Sequence, residues 1–253
     1  MNKTAPEACP AGSGRDALAA MDVQNHFLGR LSHEMRNTLA TIQTAAYCLV
    51  DDAGSPLTPK QVQLVKMITR NAERQRKIVE NMLDLSRLRS GKLNVRLQAV
   101  DVGAIIADIV NELRLATGRV RLQAEVAPSL PPFKGDPDLI TQVLRNLIDN
   151  ASRYAKELIL VKAATAGSGG GIRISVADDG AGIPKSSLGL LFTPFMQTEG
   201  GHGGTGLGLA ICKEIVKAHH GDIRAENVPG RGACFSFTLP ATGRACQSRR
   251  IHK

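Results

Sequence analysis

The chain has no tryptophan, two tyrosines and six phenylalanines, so aromatics are 3% of its 253 residues. Its core must be aliphatic, and rings on which nucleic-acid bases could stack are scarce. No run approaches the ~20 apolar residues that a membrane helix needs. The first twenty residues also lack the apolar segment of a secretory signal. Five cysteines (Cys9, Cys48, Cys212, Cys234, Cys246) are odd in number and form no CxxC pair. They read as free thiols in a reducing compartment, so a cytoplasmic location is expected. Walker spacing (GxxxxGK[ST]), Rossmann spacing and the HRD and DFG signatures of protein kinases are all absent.

What remains is a chain long enough for one or two domains, with 43% hydrophobic residues and a formal charge of +9. The basic residues are spread along the sequence, and those between Lys60 and Arg96 alternate with Glu73, Glu80 and Asp84. Such a pattern fits a solvated helix face or attraction to an acidic partner. No specific nucleic-acid partner is expected.

Residues 1–21 read as a flexible N-terminal tail. From about 22 to 51, Leu28, Leu31, Met35, Leu39, Ile42, Ala46 and Leu49 recur in steps of three and four, the signature of a helix with one apolar stripe. Asp51-Asp52-Ala53-Gly54-Ser55-Pro56 breaks it. A second helix follows over about 58–89, with Val62, Val65, Ile68, Ala72, Val79, Met82, Leu85 and Leu88 as its apolar set. Two helices bury too little alone. A hairpin over 22–91 that pairs with a second copy in a four-helix bundle is the economical solution.

On the first helix, His33 lies two residues from both Leu31 and Met35, about 200° around the axis from each. Its imidazole is expected to face water or a partner. Glu34 follows it, and Asn37 shares its face one turn on.

Past residue 92 the texture changes. Strands are expected near 93–98, 119–126, 157–164, 171–177, 222–226 and 233–239, with helices near 102–117, 136–154 and 205–219. This predicts a second domain over 92–240, a layered α/β sandwich, and an α+β chain overall. A basic tail, 241–253, ends it.

Three segments of this domain carry polar chemistry. In the 136–154 helix, Asn146, Asn150 and Tyr154 are spaced four apart, with Arg153 close to their face. Amide oxygens in that register suit a hydrated magnesium ion, and Arg153 suits phosphate. Next, Asp178-Asp179-Gly180-Ala181-Gly182-Ile183 ends a strand in a carboxylate that can accept from an exocyclic amine. Its glycines permit close backbone approach. Finally, Gly204-Thr205-Gly206-Leu207-Gly208-Leu209 opens an apolar helix, where backbone N–H groups can hold an anion. Leu191-Phe192-Thr193-Pro194-Phe195 supplies two aromatic anchors beside a stretch, 198–204, suited to a lid. Each segment alone also fits an ordinary polar face or turn.

Together, and in this order, they resemble the sensor histidine kinase family over residues 22–240. The phosphoacceptor box matches Phe27–Leu39 and the asparagine box Asn146–Tyr154. The first glycine box matches Asp178–Ile183, the phenylalanine box Phe192–Phe195 and the second glycine box Gly204–Leu209. The resemblance implies a dimeric histidine-phosphotransfer hairpin followed by an ATP-binding sandwich of the gyrase and chaperone type. It makes His33 the phosphoacceptor and Glu34 its base. Asn37 would position water for dephosphorylating a partner. Asp178 would read adenine, with Gly180, Gly182 and Ile183 around it. Asn150, helped by Asn146, would hold Mg2+. Arg153, Gly204, Thr205, Gly206, Leu207 and Gly208 would hold the phosphates, with Tyr154 and Phe195 packed near the nucleotide. The implied partners are a response regulator receiver domain and a second copy of the chain.

Thr38, Asp179 and Ala181 depart from the family's proline, asparagine and proline. Twenty residues are too few for a sensor domain, so the expectation is either a separate sensory protein or a chain that is a fragment. Two competing readings are a gyrase-type ATPase without histidine chemistry and a non-catalytic scaffold.

Overall fold

Helical periodicity in the first ninety residues produces two helices. The computed structural model describes residues 35, 37–49, 57–90, 95–113, 120–167, 170–197, 205–229 and 232–241. Helix α1 is described over 37–49, and α2 spans Pro59–Arg89. A capping box starts α2: the Thr58 N–H donates to the Gln61 side chain at 2.9 Å and the Gln61 N–H to the Thr58 hydroxyl at 3.4 Å. Pro59 takes the first helical position, where its missing N–H costs nothing. Gln43 Nε2 of α1 donates to Glu73 of α2 at 3.0 Å, and Glu73 and Glu80 both hold Arg76.

Ala46 of α1 and Ala72, Val79, Leu83 and Leu85 of α2 are buried. Ile68 and Met82 were expected in the covered stripe but are 45% and 42% exposed, as are Ile42, Leu64 and Met67 to a similar degree. One hairpin has too little surface to cover both stripes.

The chain divides into two units, Met1–Ser90 and Gly91–Lys253. In the second, β1 (Gln98–Val100) is followed by α3 (Val102–Leu113), β2 (Arg121–Val126), β3 (Phe133–Gly135), α4 (Pro137–Tyr154), β4 (Leu158–Ala166) and β5 (Gly171–Asp178). Helix α5 (Gly208–Ala218), β6 (Asp222–Asn227) and β7 (Ala233–Leu239) complete it. Five strands form one sheet in the order β2-β4-β5-β7-β6, while β1 and β3 pair separately. The β2–β4 pair is parallel and the other pairs are antiparallel.

Strand alternation sends Val161, Ala163, Ile174, Val176, Phe235 and Phe237 to one face, all buried. Buried stripes of α3 (Ile106, Ile109), α4 (Val143, Leu144, Leu147) and α5 (Ile211, Ile215) provide the apolar layer that such a face requires. Lys162, Arg173 and Arg224 are exposed on the opposite face. The expected α/β sandwich is therefore present, with one face of its sheet open to solvent.

Three boundaries differ from expectation. The first strand occupies 98–100 rather than 93–98, and residues 95–97 have no regular structure. β3 was not expected, because Pro128, Pro131 and Pro132 before it hide a short edge strand. Helix α5 begins at Gly208 rather than at 205, since Gly206 turns at a φ of 69°.

A buried polar corner joins three of these elements. Asp136 caps α4 by accepting from the Asp138 and Leu139 N–H groups, and its Oδ2 accepts from the Arg96 N–H at 3.0 Å. Its own N–H donates to His219 Nε2 at 3.0 Å, and His219 Nδ1 lies 2.8 Å from the Ile215 carbonyl. Nε2 must be the bare nitrogen and Nδ1 the protonated one for both bonds to form. His219 is 2% exposed. His219→Phe should lower unfolding stability by about 2 kcal/mol, because the Asp136 N–H then stays buried without an acceptor. Urea denaturation measures this directly, and an unchanged midpoint would show that the corner contributes nothing.

Candidate nucleotide site

Strand β5 ends at Asp178, a carboxylate 5% exposed to solvent. Its Oδ1 accepts from the Gly180 N–H at 2.9 Å and from the Ala233 N–H at 3.2 Å. Its carbonyl accepts from the Gly232 N–H at 3.0 Å. Among the described residues, none donates to Oδ2, so one acceptor of a buried carboxylate stays available. The glycines around it are steric requirements. A Cβ at Gly180 would lie 2.3 Å from the Tyr154 carbonyl oxygen, and one at Gly232 would lie 2.2 Å from Asp178 Oδ1. Gly182 turns at a φ of 78°, a region that glycine enters without penalty. Ile183 beyond it is half-buried.

Asp179 faces the other way. Its two oxygens accept the N–H groups of Lys156, Glu157 and Leu158 at 2.8–3.1 Å. Burial pushes its carboxyl up, but these backbone donors outweigh burial and hold it below the ordinary aspartate value. The side chain thus pins the α4–β4 loop to the turn that carries Asp178. With its folded pKa depressed, the stabilisation is present above about pH 4 and is lost as pH falls through the folded value. Asp179→Asn should cost about 1 kcal/mol at pH 7 and less at pH 3. Equal losses at both pH values in urea titrations would contradict this origin.

On α4, Asn146 and Asn150 are half-buried, while Arg153 and Tyr154 are exposed. Asn146 Nδ2 is buried without a hydrogen-bond partner. Cys212 Sγ lies near that amide but is a weak acceptor and does not satisfy it. Burial pushes the Cys212 thiol up to about 12, only partly offset by Asn146, so this cysteine is not a nucleophile. The Asn146 side chain packs 3.7 Å from where a Cβ of Gly208 would stand.

Gly208 begins α5. The Leu207 cap makes no side-chain bond to the first N–H groups of this helix, and N–H groups at such a helix start can bind an anion. Thr205 Oγ1 accepts from the Leu207 N–H at 3.3 Å. Gly206 accepts from the Phe195 N–H at 2.8 Å, and a Cβ at Gly206 would meet Phe195 backbone at 2.7 Å. Phe195 is itself at a φ of 63° with 61% of its surface exposed. The phenylalanine segment is therefore latched to the second glycine turn.

Helix α4 thus touches both glycine elements, the Asn146 side chain beside Gly208 and the Tyr154 backbone carbonyl beside Gly180. Eight residues of helix span about 12 Å, comparable with the reach of a nucleotide from its base to its phosphates. His33, Glu34 and Gly204, with the suggested lid stretch 198–204, lie outside the described residues, whereas Asn37 is exposed on α1. Asn227, His219 and the Asp179 anchor were not found from sequence. Their partners lie 21 to 83 positions away, beyond any local pattern.

A two-layer sandwich with such glycine turns places the second unit in a known class. Residues 135–243 match the family described as Histidine kinase-, DNA gyrase B-, and HSP90-like ATPase, and residues 23–91 match the His Kinase A (phospho-acceptor) domain. Sensor histidine kinase ZraS of Klebsiella oxytoca is 33% identical over 92% of this chain and 49% of its own length. Alginate biosynthesis sensor protein KinB of Pseudomonas aeruginosa is 31% identical over 86% of this chain and 37% of its own length. The chain therefore spans about half or less of these curated relatives. Full-length ShkA, solved in complex with AMPPNP, is 28% identical and superposes with a TM-score of 0.73 over 87% of this chain and 47% of that chain. The chain belongs to the sensor histidine kinase family.

Proposed function

We propose that this chain is the kinase portion of a two-component system. It binds ATP, transfers the γ-phosphoryl group to His33 and passes it to an aspartate of a response regulator receiver domain. The carrying observation is that α4 touches both the Asp178 turn, through the Tyr154 carbonyl, and the start of α5, through the Asn146 side chain, where the Leu207 side chain makes no capping bond. The match of 23–91 to a phosphoacceptor domain favours this reading over a gyrase-type ATPase or a scaffold.

Asp178 Oδ2 would accept from the adenine amine. The α5 N-terminus, with Thr205, Gly206, Leu207 and Gly208, would take phosphate oxygens, and Arg153 would add charge. Among the described residues no cluster of three or more His, Cys, Asp or Glu suits a metal. A cation here would draw on amide and phosphate oxygens, which magnesium accepts. Asn150, helped by Asn146 through its amide oxygen, would hold Mg2+, which would supply neutralisation of phosphate charge, while the unpartnered Asn146 Nδ2 is a donor suited to a phosphate oxygen.

A neutral imidazole nitrogen of His33 attacks the γ-phosphorus in line. An N–P bond forms, the bond to the β-phosphate oxygen breaks, ADP leaves, and the imidazole proton passes to Glu34. Asn37 would orient water in a phosphatase step that removes the phosphoryl group from the receiver domain. The half-exposed Ile42, Leu64, Met67 and Ile68 support a homodimer that covers them. No described helix is long and apolar enough to cross a membrane, and a separate sensory protein could supply the signal. Incubation with γ-labelled ATP tests the reading: acid-labile, base-stable label on the chain is expected, and stable serine-type label or none would refute it.

A further inference from the structure

The turn after Asp178 is held at its far end by a residue outside every motif. Asn227 closes β6, and its Oδ1 accepts from the Ile183 N–H at 2.7 Å. Its Nδ2 donates to the Ile183 carbonyl at 2.7 Å. One primary amide thus satisfies both polar groups of a single residue 44 positions away, as a neighbouring strand would. The partners also fix the orientation of the amide, since a flip would set donor against donor. Asn227 pairs across the β6–β7 ladder with Ala233, whose N–H binds Asp178 Oδ1 at 3.2 Å. The β6–β7 hairpin therefore grips the turn twice, at Asp178 through Gly232 and Ala233 and at Ile183 through Asn227. Between the grips, a Cβ at Gly182 would stand 2.9 Å from Asn227 Oδ1.

We infer that Asn227 is a positioning residue for the base end of the nucleotide site: its clamp on Ile183 sets how the Gly180–Ile183 turn and the Asp178 carboxylate meet a purine, and so sets the preference for adenine. This rests on reading Asp178 as the adenine-binding group. Asn227 is itself exposed, so its replacement leaves the apolar core intact.

In the full chain, Asn227→Ala should weaken ADP binding about tenfold, which corresponds to losing a pair of ordinary hydrogen bonds. It should lower the preference for ADP over GDP and leave inorganic tripolyphosphate affinity within about twofold, because the phosphate end is built on α5. Asn227→Asp keeps the acceptor but sets a second carboxylate oxygen against the Ile183 carbonyl, and it should behave like the alanine variant. Hydrogen exchange at the Ile183 amide should accelerate in both, with Ile174 and Val176 of β5 unchanged. Wild-type ADP affinity in Asn227→Ala would overturn the inference. So would equal losses of ADP, GDP and tripolyphosphate, which mark a merely structural role. Asp178→Asn, assayed alongside, separates the two claims. Unchanged ADP affinity there removes the base-pocket reading itself, whereas a loss there with none in Asn227→Ala removes only the clamp.

Discussion

Asp178→Asn should weaken ATP binding ten- to a hundredfold while leaving the fold intact, although the two side chains have nearly the same shape. The reason is donor accounting. Asp178 Oδ1 already accepts from two backbone N–H groups, those of Gly180 and Ala233. An asparagine keeps its single carbonyl oxygen for those donors and turns its NH2 towards the ligand, where it meets the exocyclic amine of adenine. Two donors then face each other at a buried side chain, at a cost of about 1–3 kcal/mol. Every 1.4 kcal/mol is tenfold in affinity. Guanine carries a carbonyl where adenine carries that amine, so the variant should also lose most of its discrimination against GTP. Calorimetric titration with ATP and GTP measures both. An affinity within about twofold of wild type would mean that this carboxylate does not read the base.

What could be read from the sequence, and what could not, divides along sequence separation. Helix α4 was legible within a residue at either end. Asp136 and Pro137 are strong local start signals, and Val143, Leu144, Leu147 and Ile148 keep helical spacing. The antiparallel β4–β5 pair was legible because glycines at 167 and 170, both at positive φ, punctuate two alternating runs. The turn at Thr205–Gly208 was legible from its glycines, though the helix start was placed three residues early. By contrast, Ile68 and Met82 obey helical periodicity and are still exposed. Periodicity shows which face is apolar, not whether one hairpin suffices to cover it. Asn227 and His219 gave no local signal. An exposed asparagine at a strand end and a histidine at a helix end are ordinary in sequence. Their roles exist only once the sheet brings Ile183 beside β6 and the α4 cap beside the end of α5.

The same dependence on separation sets the last expected result. His33→Gln should lose all acid-labile label from γ-labelled ATP, yet bind ATP as tightly as the wild type. The residues proposed to hold ATP begin 113 positions further along, at Asn146, on a unit with its own sheet and core. Glutamine keeps polarity and comparable length at His33 but offers no basic nitrogen lone pair to the phosphorus. A nucleophile of that kind has no substitute in Glu34, whose acyl phosphate would be labile to base as well as to acid. Glu34→Gln should instead slow labelling about 10²- to 10⁴-fold, the usual contribution of a positioned base, without changing the chemistry of the product. Mixing His33→Gln with Asp178→Asn adds an internal check. In a homodimer where phosphoryl transfer runs between protomers, the first variant supplies a competent nucleotide site and the second an intact imidazole, so label should return to the Asp178→Asn chain. Where transfer stays within one protomer, the mixture remains unlabelled. If His33→Gln alone takes up acid-labile label at the wild-type rate, the phosphoacceptor lies elsewhere on the chain.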